Sequence, residues 1–260
     1  MYNQLEAQLH DTFWAAEGAS AEFPLLEMFL GQFPGTSLEL GCGSGRLLLP
    51  LLRAGYFVEG LDNSTDMLGL CRAQTGDLEP VLHHASMVDF ETGSTYGAIM
   101  IPAFTLQLLP PAVIPGLLSN ISQHLHPGGG LYLTTFIPWA EITGELEEDQ
   151  WFLDQETQLP DGNTARCHTR FQIKRLSQEL TREHRYEILT HEGQVVDSST
   201  STHHLHWYWP REMGKLLEEA GFTTVRTIGD FDPDPDRACD ENSQIVTVIA
   251  RSSDEEPADY

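Results

Sequence analysis

The chain has 260 residues, 39 acidic and 14 basic, a net charge of −25, and 40% hydrophobic side chains. A chain of this size can bury a core without staples. Its charge repels phosphate backbones and anionic lipid surfaces, and its Lys and Arg form no basic patch, so neither nucleic acid nor a membrane is an expected partner. No apolar run approaches the roughly 18 residues of a transmembrane helix. The first residues, MYNQLEAQLHDTFW, lack the basic and apolar regions of a signal peptide. Cys42, Cys71, Cys167 and Cys239 lie far apart with no CxxC pair. That argues against a disulfide framework or a Cys-based zinc site, and for a reducing, cytoplasmic setting.

In chain order, Ser37 to Leu40 reads as a short strand ending in glycines. Arg46 to Ala54 reads as a helix stopped by Gly55, and Phe57 to Leu61 as the next strand. Ser64 caps a helix running through Gln74. Pro80 to His84 and Tyr96 to Ile101 are further strands. Pro111 to Leu125 is a helix, closed by a Pro127-Gly128-Gly129-Gly130 turn before a fifth strand at Leu131 to Phe136. Alternating strands and helices predict an α/β, Rossmann-like, doubly wound and mostly parallel sheet of seven strands.

The pattern then changes. Residues 163–174, 178–191 and 194–207 read as an antiparallel β insert, with turns at Asp161-Gly162-Asn163, Ser177 and Glu192-Gly193. Arg211 to Ala220 is a helix closed by Gly221, followed by an antiparallel edge hairpin near 222–228 and 243–251. The expected layout is a single domain over 1–253, with an insert over about 150–209 capping the site. The acidic stretch 254–260 is an expected disordered tail.

The strongest chemical signal is Glu39-Leu40-Gly41-Cys42-Gly43-Ser44-Gly45, where a strand ends in three glycines and a helix follows. Glycines let the main chain turn sharply and let a ligand approach it, with backbone N–H groups facing that ligand. Asp62, at the end of the second strand, can accept both hydroxyl protons of a ribose. A nicotinamide-binding loop would carry its third glycine at position 46, where this chain has Arg46. The Glu-x-Gly-x-Gly-x-Gly form instead resembles motif I of class I S-adenosylmethionine-dependent methyltransferases.

The resemblance extends along most of the chain. Gly60-Leu61-Asp62-Asn63-Ser64-Thr65-Asp66-Met67-Leu68 resembles the family's second-strand element, Tyr96 to Phe104 its fourth-strand motif, and His126 to Gly130 its Pro-Gly turn. Trp207-Tyr208-Trp209-Pro210 and Glu218 to Phe222 resemble a later segment. The small-molecule branch, with its β insert, is the best fit. The resemblance implies S-adenosyl-L-methionine as cofactor, held by Glu39, Gly41, Cys42, Gly43, Gly45, Arg46, Asp62, Asn63, Met67, Ser86, Met87, Ile101 and Pro102. One departure stands out. Ala85-Ser86-Met87 replaces the family's Gly-Asp pair, so the adenine amine would be met by the Ser86 hydroxyl.

The resemblance implies methyl transfer to a small-molecule acceptor, at nitrogen or oxygen, by in-line displacement. The alternative is a non-catalytic or regulatory protein that binds the same cofactor. Ligands of such sheets sit at the carboxyl ends of strands. The candidate acceptor contacts are therefore Phe13, Trp14, Phe104 and Trp139, and the candidate catalytic residues His206, Tyr208 and Gln107. Two metal readings are set aside. The His203-His204-Leu205-His206 run has no nearby Cys, and the Asp230, Asp232, Asp234, Asp236 series lacks the Gly and Glu of a calcium loop.

Overall fold

The computed structural model describes residues 5–6, 8–9, 12–13, 21–232, 234 and 239–253. After helical turns within residues 5–13, the elements run α1 (Phe23–Gln32), β1 (Ser37–Leu40), α2 (Leu48–Arg53), β2 (Val58–Asp62), α3 (Thr65–Ala73), β3 (Leu82–His84), β4 (Tyr96–Ile101), α4 (Ile114–His124) and β5 (Leu125–Phe136). They continue with α5 (Trp139–Thr143), β6 (Phe152–Gln158), β7 (Thr164–Lys174), β8 (Glu179–Leu189), β9 (Val195–His206), α6 (Pro210–Glu219), β10 (Phe222–Gly229) and β11 (Ile245–Ser252). The described residues group into two compact units. One draws on Ala21–Ile137 and Trp207–Tyr260, the other on Met1–Ser20 and Pro138–His206.

The first unit is a seven-stranded sheet in the order β3-β2-β1-β4-β5-β11-β10. Strands β1 to β5 pair in parallel, while β11 runs antiparallel to both β5 and β10, which places the expected hairpin at the sheet edge. β1 and β4 are buried at every position, as central strands covered on both faces must be. From β1 the chain steps outward to β3, then crosses to β4 on the other side. The β1/β4 junction is thus the point where the winding reverses, and a crevice opens there at the strands' carboxyl ends.

Sequence accounts for these elements locally. Ser64 Oγ accepts the Met67 N–H at 3.3 Å and caps α3. α1, which the sequence pattern left unread, buries Leu25, Leu26 and Phe29 completely, each worth about 1.5–3 kcal/mol. Its Phe29 ring lies 5.5 Å from that of Tyr132 on β5. Two expectations shift. The fourth helix begins at Ile114, after a single 3₁₀ turn at Pro111–Val113. β5 begins at Leu125, because the Pro-Gly-Gly-Gly segment forms an irregularity inside the strand rather than a turn before it. A Cβ at Gly130 would lie 2.3 Å from the Phe33 ring, so glycine there lets the end of α1 approach.

The second unit is a four-stranded antiparallel sheet in the order β6-β7-β8-β9. The turns fall where Gly162 and Gly193 supply positive φ. β6, polar and acidic, was not expected from the sequence. Leu5, Leu9 and Phe13, four residues apart, bury against Ala165, Cys167 and Tyr186. The Trp151 ring lies between the guanidinium groups of Arg170 and Arg185, each 4.9 Å from its centre.

Candidate cofactor and active site

The glycine loop opens at the crevice of the parallel sheet. Gly41, Gly43 and Gly45 all have positive φ, at 78°, 55° and 88°. Their reasons differ. A Cβ on Gly41 would lie 2.5 Å from Thr105 Cγ2, and one on Gly45 2.7 Å from Cys71 Sγ, so both are close-packing positions. A Cβ on Gly43 would meet only Met67 Cε, at 3.6 Å, an ordinary contact, so packing does not demand glycine there and its positive φ does. The Gly43 N–H donates to Asp62 Oδ2 at 2.9 Å and the Ser64 N–H to Asp62 Oδ1 at 2.8 Å. Each carboxylate oxygen keeps a free lone pair for a hydroxyl donor. Cys42 is buried among apolar neighbours, and burial pushes its thiol far up, so it packs rather than reacts.

Under the loop lie two buried acids and Arg46. Burial pushes the Glu39 carboxyl up to about 8, opposed by Arg46 and reinforced by Glu22 and Asp62. Its Oε2 is buried without a hydrogen-bond partner. Glu22, just before α1, is also raised by burial, with the Thr134 hydrogen bond and Arg46 holding it down. It accepts the Thr134 hydroxyl at 2.6 Å, the Tyr132 hydroxyl at 3.2 Å and the Ala103 N–H at 3.2 Å. Sequence reasoning missed Glu22, since a lone acid ahead of an apolar helix reads as a surface cap. The orphaned Glu39 oxygen, the uncrowded backbone at Gly43 and the lone pairs of Asp62 suit a ligand with a cationic amino-acid end and a ribose. S-adenosylmethionine has both.

At the end of β4, Ile101 and Pro102 are buried, and Ala103 and Phe104 turn through the left-handed region at φ 54° and 63°. Non-glycine residues hold that conformation only where the surroundings impose it. The Phe104 ring meets Phe136 edge-on at 5.3 Å. Gln107 is fully buried, and both ends of its amide are taken by Phe136. Its Nε2 donates to the Phe136 carbonyl at 3.0 Å, and its Oε1 accepts the Phe136 N–H at 2.7 Å. It therefore ties the end of β5 to the β4 turn, rather than offering a free amide to a reactant. Tyr208 is buried with its hydroxyl unpartnered, and burial pushes it up to about 12.

The remaining cofactor candidates differ in placement. Met67 is buried beside Gly43, and Met87 lies beside Gly41. Asn63 and Ser86 are exposed, and Ser86 Oγ accepts the Val88 N–H at 3.2 Å, an ordinary turn contact. In the antiparallel unit, Phe13 is a core side chain, 3% exposed and 6.4 Å from the Tyr186 ring, while Trp14 lies outside the described residues. Trp139 and His206 are half-buried. Burial lowers the basicity of His206, partly offset by Glu179.

His203, not His204 or His206, has the carboxylate partner. Its Nε2 lies 2.6 Å from Oε1 of the fully buried Glu6, which also accepts the Ser201 hydroxyl at 2.9 Å. Asp154, Cys167 and His184 bring one donor atom each within 4.8 Å of one another. The Thr169 hydroxyl sits among them, 2.7 Å from Asp154 and 2.8 Å from His184 Nδ1, and satisfies both. Asp230 Oδ1 accepts the N–H groups of Gln244 and Ile245, so it ties off the edge hairpin. Asp236 lies outside the described residues.

Residues 38–129 match the family described as "Methyltransferase domain". The dTDP-3-amino-3,6-dideoxy-alpha-D-glucopyranose N,N-dimethyltransferase of Streptomyces fradiae is 32% identical over 103 residues, spanning 39% of this chain and 38% of that enzyme. Among solved structures, the CcbJ methyltransferase of Streptomyces caelestis superposes with a TM-score of 0.76 at 22% identity, covering 95% of this chain and 96% of that one. CalS10 from Micromonospora echinaspora, an amino pentose methyltransferase with S-adenosylmethionine bound, gives 0.72 at 19% identity, covering 97% and 98%. Residues 38–129 thus match a methyltransferase domain, and the fold is the one these S-adenosylmethionine-dependent methyltransferases share.

Proposed function

We propose that the protein methylates an amine nitrogen on a small, polar, hydroxylated acceptor of the amino-sugar class. The observation that carries the reading is the Gly43–Asp62 cradle at the β1/β4 crevice, which suits the methyl donor. The choice of nitrogen and of an amino sugar is supported by what the Streptomyces fradiae relative and CalS10 are named for. The cofactor supplies an electrophilic methyl on a sulfonium, so alignment and exclusion of water can provide much of the acceleration, about 7–11 kcal/mol for well-oriented reactants.

In this reading Gln107 and the Ala103–Phe104 turn hold the reacting end of the sheet rigid. Phe104, Phe136 and Phe231 supply apolar surface at that end, with the Phe104 and Phe231 rings 6.5 Å apart. Tyr208 offers an unpartnered hydroxyl to a polar acceptor. An amine must be unprotonated before its lone pair can attack. No helix among the described residues is long and apolar enough to cross a membrane, and all four cysteines are free thiols. Free thiols support a reducing, cytoplasmic setting.

The test is incubation with S-adenosylmethionine and a panel of nucleotide-linked amino sugars, free amines and phenols, with products assigned by NMR. N-methylated amino sugars are expected. Methylation at oxygen alone would overturn the nitrogen assignment. Tight cofactor binding with no turnover on any acceptor would favour a non-catalytic role.

A further inference from the structure

Glu22 is a buried charged group to which the reading above gives no part. It stands 81 residues before Ala103 and 112 before Thr134, yet its carboxylate joins the end of β4 to β5. Its bond to the Ala103 N–H falls at the first of two consecutive left-handed, non-glycine residues. Such backbone persists only where neighbours over-determine it, and it concentrates at functional sites.

We propose that Glu22 is a positioning residue of methyl transfer. It fixes the Ala103–Phe104 turn and, with Glu39, places buried carboxyls beside the cofactor loop that favour the cationic methyl donor over its product of zero net charge. This rests on S-adenosylmethionine being the cofactor.

The argument is one of charge complementarity. Glu22 and Glu39 carry two negative charges when ionised and Arg46 one positive, so the group is one negative charge in excess. Asp62 stands further along, with both oxygens already bonded by the Gly43 and Ser64 amides. S-adenosylmethionine carries a sulfonium, an ammonium and a carboxylate, a net charge of +1. S-adenosylhomocysteine has lost the sulfonium and is neutral overall. That excess negative charge is costly to bury, so the free protein offsets it with a proton, and a ligand of net positive charge gains more from displacing that proton than one of zero net charge.

Proton linkage follows from the same geometry. In the free protein, burial raises both Glu22 and Glu39, so the pair tends to hold a proton. The other titratable groups facing them are Arg46, Asp62, the Cys42 thiol and the Tyr132 phenol, the last two raised by burial. A bound cation favours the ionised carboxylates and expels that proton. Donor affinity should therefore rise with pH through the range near 8 set by Glu39, and product affinity should rise less.

The experiment is calorimetric titration of wild type and Glu22→Gln with S-adenosylmethionine and S-adenosylhomocysteine, from pH 6 to 8.5. Two buffers of different ionisation enthalpy are used, so that proton release is read directly. Wild type should release more protons with the donor than with the product. Glu22→Gln keeps the shape and an acceptor for the Ala103 amide, but loses the charge. It should cut the donor-over-product preference about tenfold, the scale of one charge-assisted contact, while product affinity moves less than about threefold. Glu22→Ala removes the amide contact too, and should weaken both ligands. Equal weakening of both ligands by Glu22→Gln, or no change in either, would overturn the charge-selection role. Equal proton release with the two ligands in wild type would also overturn it, and that measurement needs no variant to fold. If neither ligand bound wild type, the cofactor assignment itself would have failed instead.

Discussion

In the parallel-sheet unit, Glu22 and Glu39 share one nearby guanidinium, and a buried oxygen of Glu39 is left without a partner. In the antiparallel unit, the equally buried Glu6 is met by Tyr186, Ser201 and His203. Leaving a buried polar atom unpaired costs about 1–3 kcal/mol, more when it is charged. A fold keeps such a deficit where a ligand will complete it. Glu39 keeps an unmet oxygen beneath a loop that is uncrowded at Gly43, whereas the group around Glu6 is closed by its own side chains. The first arrangement is built to receive a cation and the second to hold a sheet together.

The sharpest way to break this contrast is to crowd the loop. Gly43→Val should reduce S-adenosylhomocysteine affinity at least about a hundredfold, because the branched side chain would stand where the ligand must pass. Its positive φ adds roughly 1–2 kcal/mol of backbone strain, so a folded but cofactor-free protein is expected by circular dichroism and calorimetry. Normal affinity in a folded Gly43→Val protein would show that the cradle lies elsewhere.

Glu6→Ala attacks the closed arrangement. Removing one partner of a buried pair should destabilise the antiparallel unit by about 3–5 kcal/mol. Hydrogen exchange should register the loss in β8 and β9, with little change in β1 and β4. Uniform loosening of both units would erase the distinction drawn between them.

Asp62→Ala removes the acceptor of two loop amides as well as the proposed ribose contact. A cofactor affinity loss of about 2–4 kcal/mol is expected from titration, and a loss below tenfold would make Asp62 a loop brace only.

His184 tests the antiparallel unit by pH. Burial, helped by His203 and Arg182, lowers it to about 4 from an ordinary 6.5. The neutral imidazole is favoured in the fold, so its contribution is full above about pH 6.5 and is lost as pH falls toward 4. The amount is on the order of 3 kcal/mol. Denaturation midpoints of His184→Gln should fall less steeply than wild type between pH 6.5 and 4. The smallest effect is expected on the solvated face. Arg166→Ala breaks a half-exposed pair with Glu156 and should change stability by less than about 1 kcal/mol.

Periodicity and glycine placement made the parallel sheet legible. Gly41, Gly43, Gly45 and Asp62 sit within one strand–helix–strand unit, so their proximity follows from local chain geometry. The Ser64 cap and the Gly55 and Gly221 stops are local for the same reason. The reading faltered where distant residues decide. Gln107 reads as a catalytic candidate until Phe136 is seen to occupy both ends of its amide. Trp207 and Tyr208 are both buried, although an alternating strand would have separated them, because β9 ends at His206. Phe13 reads as a site aromatic, yet it packs with Tyr186, which lies far along the chain.

The sequence by itself determined the class of sheet, the cofactor loop and its acidic partner, since those depend on backbone conformations that neighbouring residues dictate. Only the tertiary structure decided which acids are buried. Whether a carboxylate is desolvated depends on what the chain folds over it, and Glu6 and Glu22 acquire their surroundings from residues more than 80 positions away.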